Sequence, residues 1–318
     1  MIGHEEPWRA WRSALAGDRM HHGWLLAGRE GLGKASFARA AAAELVTEPG
    51  VPQPPVEAHP DILVLSPLPA NDDEVKKRDE GKPYQLKRSI SVDQVRGLQR
   101  RLTTRPTLGA RRAVIIDSAD LLEKSAINAL LKSLEEPPQG TFFLLVVHAL
   151  GRLLPTVRSR CLIVRFHPLS DADVARALDA AAPELNDETR RAALAVSGGS
   201  PGAALAFAEQ DLGRAQAIFE KLIERGDRDM SLRAALSGAI GARPDRERIG
   251  AAIEAARMTV VRALEHVDDA GKLRLAEAHA KLVKLAGDAP IYNYDPAMLM
   301  LEIGSLLASA GPTREGVR

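Results

Sequence analysis

The stretch 113–161 constrains this chain most, because it spells out a strand, a helix and a second strand with charged residues at the turning points. Ala113-Val114-Ile115-Ile116 is an unbroken apolar run that delivers Asp117 to a strand end. Asp117-Ser118-Ala119-Asp120 then turns into a helix, on which Ile127, Leu130, Leu131 and Leu134 recur on one face. Pro137-Pro138 cannot continue that helix and stop it sharply. Residues 142–147 are apolar throughout, as a strand is when both faces of a parallel sheet are covered. The stretch closes on Thr156-Val157-Arg158-Ser159-Arg160-Cys161. Strand, acidic end, helix, strand and basic end together are the layout of a nucleotide-handling α/β domain.

The rest of the N-terminal half extends this unit. Residues 5–20 read as a polar helix with Trp8, Trp11 and Leu15 on one side, and Trp24-Leu25-Leu26-Ala27 as a short strand. A glycine-rich turn leads into an Ala-rich helix ending near Leu45, and the prolines of 47–60 make that segment a loop. Residues 62–65 form a second strand, and 67–88 read as a polar, mobile surface loop. A helix at 91–102 has Ser91 as its N-cap and turns Val92, Val95, Leu98 and Leu102 inward. With a fifth strand at 162–166, strands and helices alternate, so the sheet is parallel with right-handed crossovers.

His167-Pro168-Leu169-Ser170 reads as a hinge, and Ser170 with Asp173 resembles a capping box that opens a helix. Short helices follow to 209, broken at Gly198-Gly199-Ser200-Pro201-Gly202. Beyond 211 there are no strand signals, only helical patterns at 211–225, 231–241, 246–266, 272–286 and 295–309, then a frayed tail at 311–318. The expected organisation is therefore a nucleotide-binding-like α/β domain at 1–167, a small helical domain at 168–209 and an all-helical domain at 210–318.

Composition removes several function classes. Cys161 is the single cysteine, so internal disulfides and multi-cysteine zinc sites are excluded, and the eight histidines show no metal-ligand spacing. Aromatics make up 4% of the chain, too few for stacking platforms that hold single-stranded bases. No apolar run reaches membrane-span length and residues 1–6 do not read as a signal peptide, so a cytoplasmic location is expected. The net charge of +1 decides nothing about nucleic acid, but its distribution does. Between 76 and 112, twelve basic residues face three acidic ones, and Arg96 and Arg100 share a helix face. With Arg101 they are the candidates for contact with a DNA backbone, against the plainer alternative of a solvated helix face.

Gly28-Arg29-Glu30-Gly31-Leu32-Gly33-Lys34-Ala35 fits the phosphate-loop pattern except at its last position. In such a loop Gly28, Gly31 and Gly33 let backbone N–H groups turn toward phosphates at a helix N-terminus, and Lys34 reaches the terminal phosphates. Ala35 stands where a hydroxyl should hold magnesium, and Ser36 is turned about 100° further round the helix. Asp117 sits where a strand-end carboxylate would hold magnesium, but Ser118 replaces the acidic neighbour that polarises water, and a serine is no carboxylate base at neutral pH. The pocket therefore reads as hydrolytically dead, with nucleotide binding left open by Gly31, Gly33 and Lys34. Arg160, at the far edge of the same domain, has the plain reading of a solvated surface charge and the sharper one of an arginine finger that could reach a neighbour's γ-phosphate. His148 at a strand end reads as structural, and Cys161 as a small residue opening the fifth strand.

The run Asn128-Ala129-Leu130-Leu131-Lys132-Ser133-Leu134-Glu135-Glu136-Pro137-Pro138, followed by Ser159-Arg160-Cys161, resembles the clamp-loader branch of AAA+ ATPases. Within that branch the chain is similar to the delta-prime family of bacterial DNA polymerase III, and His59-Pro60-Asp61 and Ser200-Pro201-Gly202-Ala203-Ala204-Leu205 fit it too. The resemblance covers 20–206 well, and the helical remainder matches in length and class only. It implies an AAA+ domain, a helical lid and a helical collar that joins a five-membered ring with gamma/tau and delta subunits. In such a ring Arg160 would reach the ATP of an adjacent gamma/tau motor while the complex loads a sliding clamp onto primer-template DNA. Gly202 falls where motor subunits place a phosphate-sensing arginine, and Val147-His148 where they carry a small polar sensor, again implying no turnover. Two other readings stand beside this one: an ATP-hydrolysing clamp-loader motor, and an AAA+-like DNA-binding scaffold outside replication. Many relatives insert a four-cysteine zinc module after the first helix, whereas 47–59 holds no cysteine here. Elemental analysis of the purified protein should accordingly find no stoichiometric zinc, and one equivalent would overturn that expectation.

Overall fold

Five strands pair in parallel: β1 (Gly23–Ala27), β2 (Ile62–Leu65), β3 (Arg112–Ile116), β4 (Thr141–Val147) and β5 (Leu162–Arg165), in the order β2-β3-β4-β1-β5. In this computed structural model residues 2–17, 19–289, 292 and 294–311 are described. β1 and β3 are buried from end to end and β4 at every residue but Phe142, whereas the edge strands β2 and β5 are four residues long and partly exposed. Short edges present little unpaired backbone to other chains.

Side chains alternate across the sheet, as the two-residue period of a strand requires. Leu25, Val114, Phe143 and Leu145 enter one core together with Val95, Leu98, Leu130 and Leu134. Those last four come from α4 (Val92–Leu102) and α5 (Lys124–Glu135). Trp24, Leu26, Ile115 and Leu144 enter the opposite core with Trp11 and Phe37, contributed by the helices Glu5–Ala16 and Lys34–Val46. Trp11 meets Trp24 edge-on at 5.0 Å, and Trp8 lies 4.4 Å from Phe37.

Local chemistry moves some boundaries. The first helix ends at Ala16 instead of residue 20, because Gly17 turns into extended backbone and its N–H closes on the Ala14 carbonyl. The stretch expected as a loop at 67–88 contains a helix, Asp72–Asp79. Asn71 caps it, three acidic residues fill its first turn and three basic ones its last, which complements the helix dipole. Buried Glu74 binds the stretch together, accepting from Lys77 at 2.7 Å and from the Gln85 N–H at 2.6 Å. Polar composition hid that helix because its stability comes from caps and ion pairs and not from an apolar face. Ahead of α5, residues Ala119–Leu121 form a 3₁₀ turn, and α5 itself starts three residues before Ile127.

Residues Leu169–Arg318 form a second compact unit, distinct from Met1–Pro168. It contains eight α-helices among the described residues, from Asp171–Ala181 to Pro296–Ala310. Val174, Val196 and Phe207 belong to the same hydrophobic core as Phe219, Leu282 and Leu307. The boundary expected at 209–210 is therefore not a gap in packing. Asp227 knits this unit locally, accepting from the N–H groups of Leu232 and Arg233 and from the Arg233 guanidinium at 2.9 Å. Burial alone would raise its carboxyl, but these donors hold it below the usual range. The helix Asp269–Asp288 buries Leu275, Ala278 and Leu282 and leaves Leu273, Ala276, Ala280 and Val283 exposed on one outward stripe. The tail expected at 311–318 lies, past Gly311, outside the described residues.

One buried polar knot ties the base of the sheet. Asp61, directly before β2, accepts from the N–H groups of Thr107 and Leu108 at 2.7–2.8 Å and pairs with Arg112 at 3.4 Å. Arg112 also donates to the carbonyls of Arg101, Thr104 and Arg105. The Asp61 backbone N–H donates to His59 Nδ1, so His59 carries its proton on Nε2 and gives it to Gln53. Asp61→Ala would leave the Arg112 charge buried without its counter-ion, and a urea melt should show a loss of about 3–5 kcal/mol. Asp61→Asn, which keeps acceptor oxygen but no charge, should lose less.

Candidate functional site

In a parallel sheet all strands point one way, so loops leaving their C-terminal ends converge. Here β1 delivers the glycine-rich turn, β3 delivers Asp117 and β4 delivers His148 to that one end. The Gly28 N–H donates to the Val147 carbonyl, fixing the turn to β4. Gly31 and Gly33 take φ of 77° and 81°, backbone that side-chain-bearing residues rarely adopt, so the loop needs glycine there. A Cβ at Gly28 would come within 2.5 Å of the Phe166 carbonyl.

Lys34 lies buried at the start of its helix, where its amine donates to the carbonyls of Gly28, at 2.6 Å, and of Arg29. Burial lowers its pKa to about 8, against the pull of Glu30, Asp120 and Asp117. The loop's backbone N–H groups and Lys34 are the groups able to hold a phosphate. Asp117 stands 3.8 Å from Arg39, and Ser118 is buried with no hydrogen-bond partner for its hydroxyl. The sequence candidates Gly28, Gly31, Gly33, Lys34 and Asp117 thus gather at one end of the sheet. Neither Ala35 nor Ser118 supplies the magnesium ligand or the carboxylate base that phosphoanhydride hydrolysis uses.

Sequence reasoning passed over two residues around this pocket, Asp120 and His4. Asp120 accepts from the N–H groups of His148 and Ala149 at 2.5 and 3.0 Å, tying the 3₁₀ turn after β3 to the end of β4. His4 Nε2 bonds the Leu32 carbonyl at 2.7 Å, and its ring lies 4.8 Å from Phe166. His148, read from the sequence as structural, has its imidazole pushed below the usual range by burial and by nearby Lys34. No spacing rule flags Asp120 or His4, because their partners are 28 residues away.

Arg160 sits at the other end of the sheet. It follows the one-turn helix α6 (Pro155–Arg158) and precedes β5, whose Leu162 pairs with Trp24 at the start of β1. The Arg160 carbonyl packs so closely on Gly23 that a Cβ there would meet it at 3.1 Å. The strand β1 runs about 16 Å from that point to the phosphate loop. Its guanidinium is one-third exposed and contacts Glu135 at 2.6 Å and the Thr156 carbonyl at 2.8 Å. Cys161 beside it is partly buried, and burial pushes its thiol up to about 12, which makes it inert at neutral pH.

The basic window resolves into two kinds of residue. Lys76, Lys77, Arg78, Lys82 and Arg96 are each paired with a nearby acid, and Arg112 belongs to the buried knot. Arg100 and Arg101 instead border an open cleft of about 450 Å³ at the C-terminal end of α4, beside Thr104 and Thr107. Of the three DNA-contact candidates, Arg96 is therefore locally neutralised and the other two are not. Among the described residues no cluster of three His, Cys, Asp or Glu side chains is arranged to hold a metal, and no helix is long and apolar enough to cross a membrane.

Comparison with known proteins agrees with this geometry. The solved structure of a DNA polymerase III gamma-subunit-related protein from Thermotoga maritima superposes with a TM-score of 0.51 at 16% identity, covering 94% of this chain and 98% of that one, which shows the AAA+-type fold. DNA polymerase III subunit delta' of Pseudomonas aeruginosa is 37% identical over 216 residues, which is 61% of this chain and 58% of that protein. Subunit delta' of Escherichia coli K12 is 40% identical over 131 residues, 41% of this chain and 38% of that one. The matched region thus spans less than two thirds of either relative. The E. coli tau subunit is more distant, at 30% over 172 residues, 52% of this chain and 24% of that protein. Residues 3–170 match the profile of the family described as "DNA polymerase III, delta subunit". The chain belongs to that family, and within it to the delta-prime type.

Proposed function

We propose that this chain is a non-hydrolysing subunit of a bacterial clamp loader, acting in the cytoplasm beside gamma/tau and delta subunits to place a sliding clamp on primed DNA. Its own pocket lacks the groups for turnover, and its Arg160 serves the ATP of a neighbouring motor subunit. The observation that carries this reading is the position of Arg160, separated from its own phosphate loop by the length of the sheet. A guanidinium there has no use in its own pocket, but it offers fixed donors to phosphate oxygens on an adjoining subunit. Arg100 and Arg101 supply unneutralised charge for DNA phosphates, with Arg96 beside them. The helical unit from Leu169 onward supplies assembly surface through the outward stripe on Asp269–Asp288.

The test is a ring reconstituted with wild-type or Arg160→Ala subunit. The isolated protein should hydrolyse no ATP above background. The Arg160→Ala ring should assemble normally on gel filtration yet lose part of its clamp- and DNA-stimulated turnover, because an arginine finger acts as charge develops on the transferred phosphoryl. Arg160→Lys should rescue poorly, since an ammonium lacks the planar fork. Equal rates for wild-type and Arg160→Ala rings would remove Arg160 from the mechanism, and robust turnover by the isolated chain would favour the motor reading.

Assembly has its own check. Truncation at 210 would cut through a shared core, so point changes on the exposed stripe are cleaner. Leu273→Asp with Val283→Asp should leave the melting curve unchanged and reduce incorporation into the ring at least several-fold, whereas unimpaired incorporation would exclude this face.

A further inference from the structure

The motifs Glu135-Glu136-Pro137-Pro138 and Ser159-Arg160-Cys161 are 25 residues apart in sequence, counting from Glu135 to Arg160, and are joined in space by one contact. Arg160 Nη2 forms an ion pair with Glu135 Oε1 at 2.6 Å. On its other side, Nη1 donates to the Thr156 carbonyl at 2.8 Å, with a longer approach to Ser159 Oγ. The guanidinium is thus gripped at both terminal nitrogens.

Its platform is also fixed. The Arg160 N–H closes on the Val157 carbonyl at 3.1 Å, and its own carbonyl packs against Gly23. Glu135 is held too, as the last residue of α5. The Glu136 N–H bonds the Lys132 carbonyl, and the His22 ring bonds the Leu134 carbonyl at 2.8 Å. Pro137-Pro138 then stop the chain.

Stability does not account for this pair. A carboxylate in the last turn of a helix faces the negative end of its dipole, which is unfavourable. Both side chains are substantially exposed, 34% for Arg160 and 49% for Glu135, and exposed pairs contribute little to folding. What the contact does achieve is orientation. An unrestrained arginine samples many rotamers, whereas this one presents a set direction. Nη1 donates to Thr156 and Ser159, and Nη2 is in ion-pair contact with Glu135. The Nε–H meets no partner among the described residues, which leaves that edge of the guanidinium to meet phosphate oxygen.

We propose that Glu135 is a positioning residue for Arg160, holding the guanidinium with its Nε edge turned outward to the phosphate of an adjacent subunit. This rests on the reading of Arg160 given above. It separates two functions within one ion pair: Arg160 carries the charge, and Glu135 sets the direction from which that charge is offered.

The test uses the assembled ring, with Arg160→Ala, Glu135→Ala, Glu135→Gln and the double variant Glu135→Ala/Arg160→Ala, each confirmed to incorporate by gel filtration and to melt as wild type. ATP turnover is followed against ATP concentration with clamp and primed DNA present. Glu135→Ala should lower kcat with KM unchanged, losing about half or more of the turnover that Arg160→Ala loses, because misaimed charge fails in the transition state and not in binding. Glu135→Gln, which keeps an acceptor oxygen in place, should recover most of that loss. The double variant should match Arg160→Ala alone, since a positioning residue has nothing left to position. Wild-type turnover in Glu135→Ala beside a depressed Arg160→Ala overturns the positioning role and leaves the finger intact. Faster turnover in Glu135→Ala also overturns it, because Glu135 would then be withholding Arg160. An Arg160→Ala ring at wild-type rate overturns both readings together. Additive losses in the double variant would make Glu135 independent of Arg160 and reject the proposal.

Discussion

The constraint on which the rest depends is the common direction of five strands. Parallel pairing sends every strand's C-terminal end to one edge and every N-terminal end to the other, and it does so whatever the side chains are. The chemistry of this chain is sorted by that rule. Phosphate-loop glycines, Lys34, Asp117 and His148 fall at one edge, and Arg160, Gly23 and the Asp61–Arg112 knot at the other. A residue on the wrong side for its own pocket is on the right side for someone else's. The burial of β1, gripped by β4 on one flank and β5 on the other, is what keeps the two edges in fixed relation.

Much of this was legible because it rests on short-range pattern. Apolar runs of four to six residues marked four of the strands and Leu162-Ile163-Val164 the fifth, and glycines at two left-handed positions marked the loop. Ser91 announced a helix that the structure starts at Val92 with a reciprocal cap from Gln94. What failed had a different physical origin. The Asp72–Asp79 helix has almost no apolar face to display a period, so its caps and ion pairs were read as solvated loop. The division of the helical half was drawn at residue 209 from sequence punctuation, yet packing joins Phe207 and Phe219 in one core. Punctuation records where the chain turns, and only packing records where it separates.

The site shows the same split between near and far. Lys34 was placed by a motif seven residues long. That its amine would lie buried against two carbonyls of its own loop depends on how the loop closes, which no pattern encodes. The basic window was counted as charge, and a count of charge leaves open which residues are available. Acidic partners at Asp73 and Glu74 lie just outside the window and neutralise residues within it. A charge count over a segment says how much field exists in the unfolded chain, and folding then redistributes it through i,i+3 neighbours.

The strand order carries a consequence for synthesis. The interior strand β1 is the first one made, and its two neighbours, β4 and β5, are the last. Between Ala27 and Thr141 lie 113 residues, counted from the strand bounds, that must leave the ribosome before β1 can bond to β4. At ordinary elongation rates that interval is roughly 6–23 s. Throughout it, Gly23-Trp24-Leu25-Leu26-Ala27 has every backbone donor unpaired and an apolar surface with no sheet to join. The helix Glu5–Ala16, whose Trp11 meets Trp24, and the helix Lys34–Val46, emerging directly behind with Phe37 and a row of alanines, are the early partners able to cover that strand. The nascent chain is thus most exposed to aggregation at its most deeply buried part, and growth temperature or codon tempo over the first 140 residues acts on its yield without touching any residue of the site.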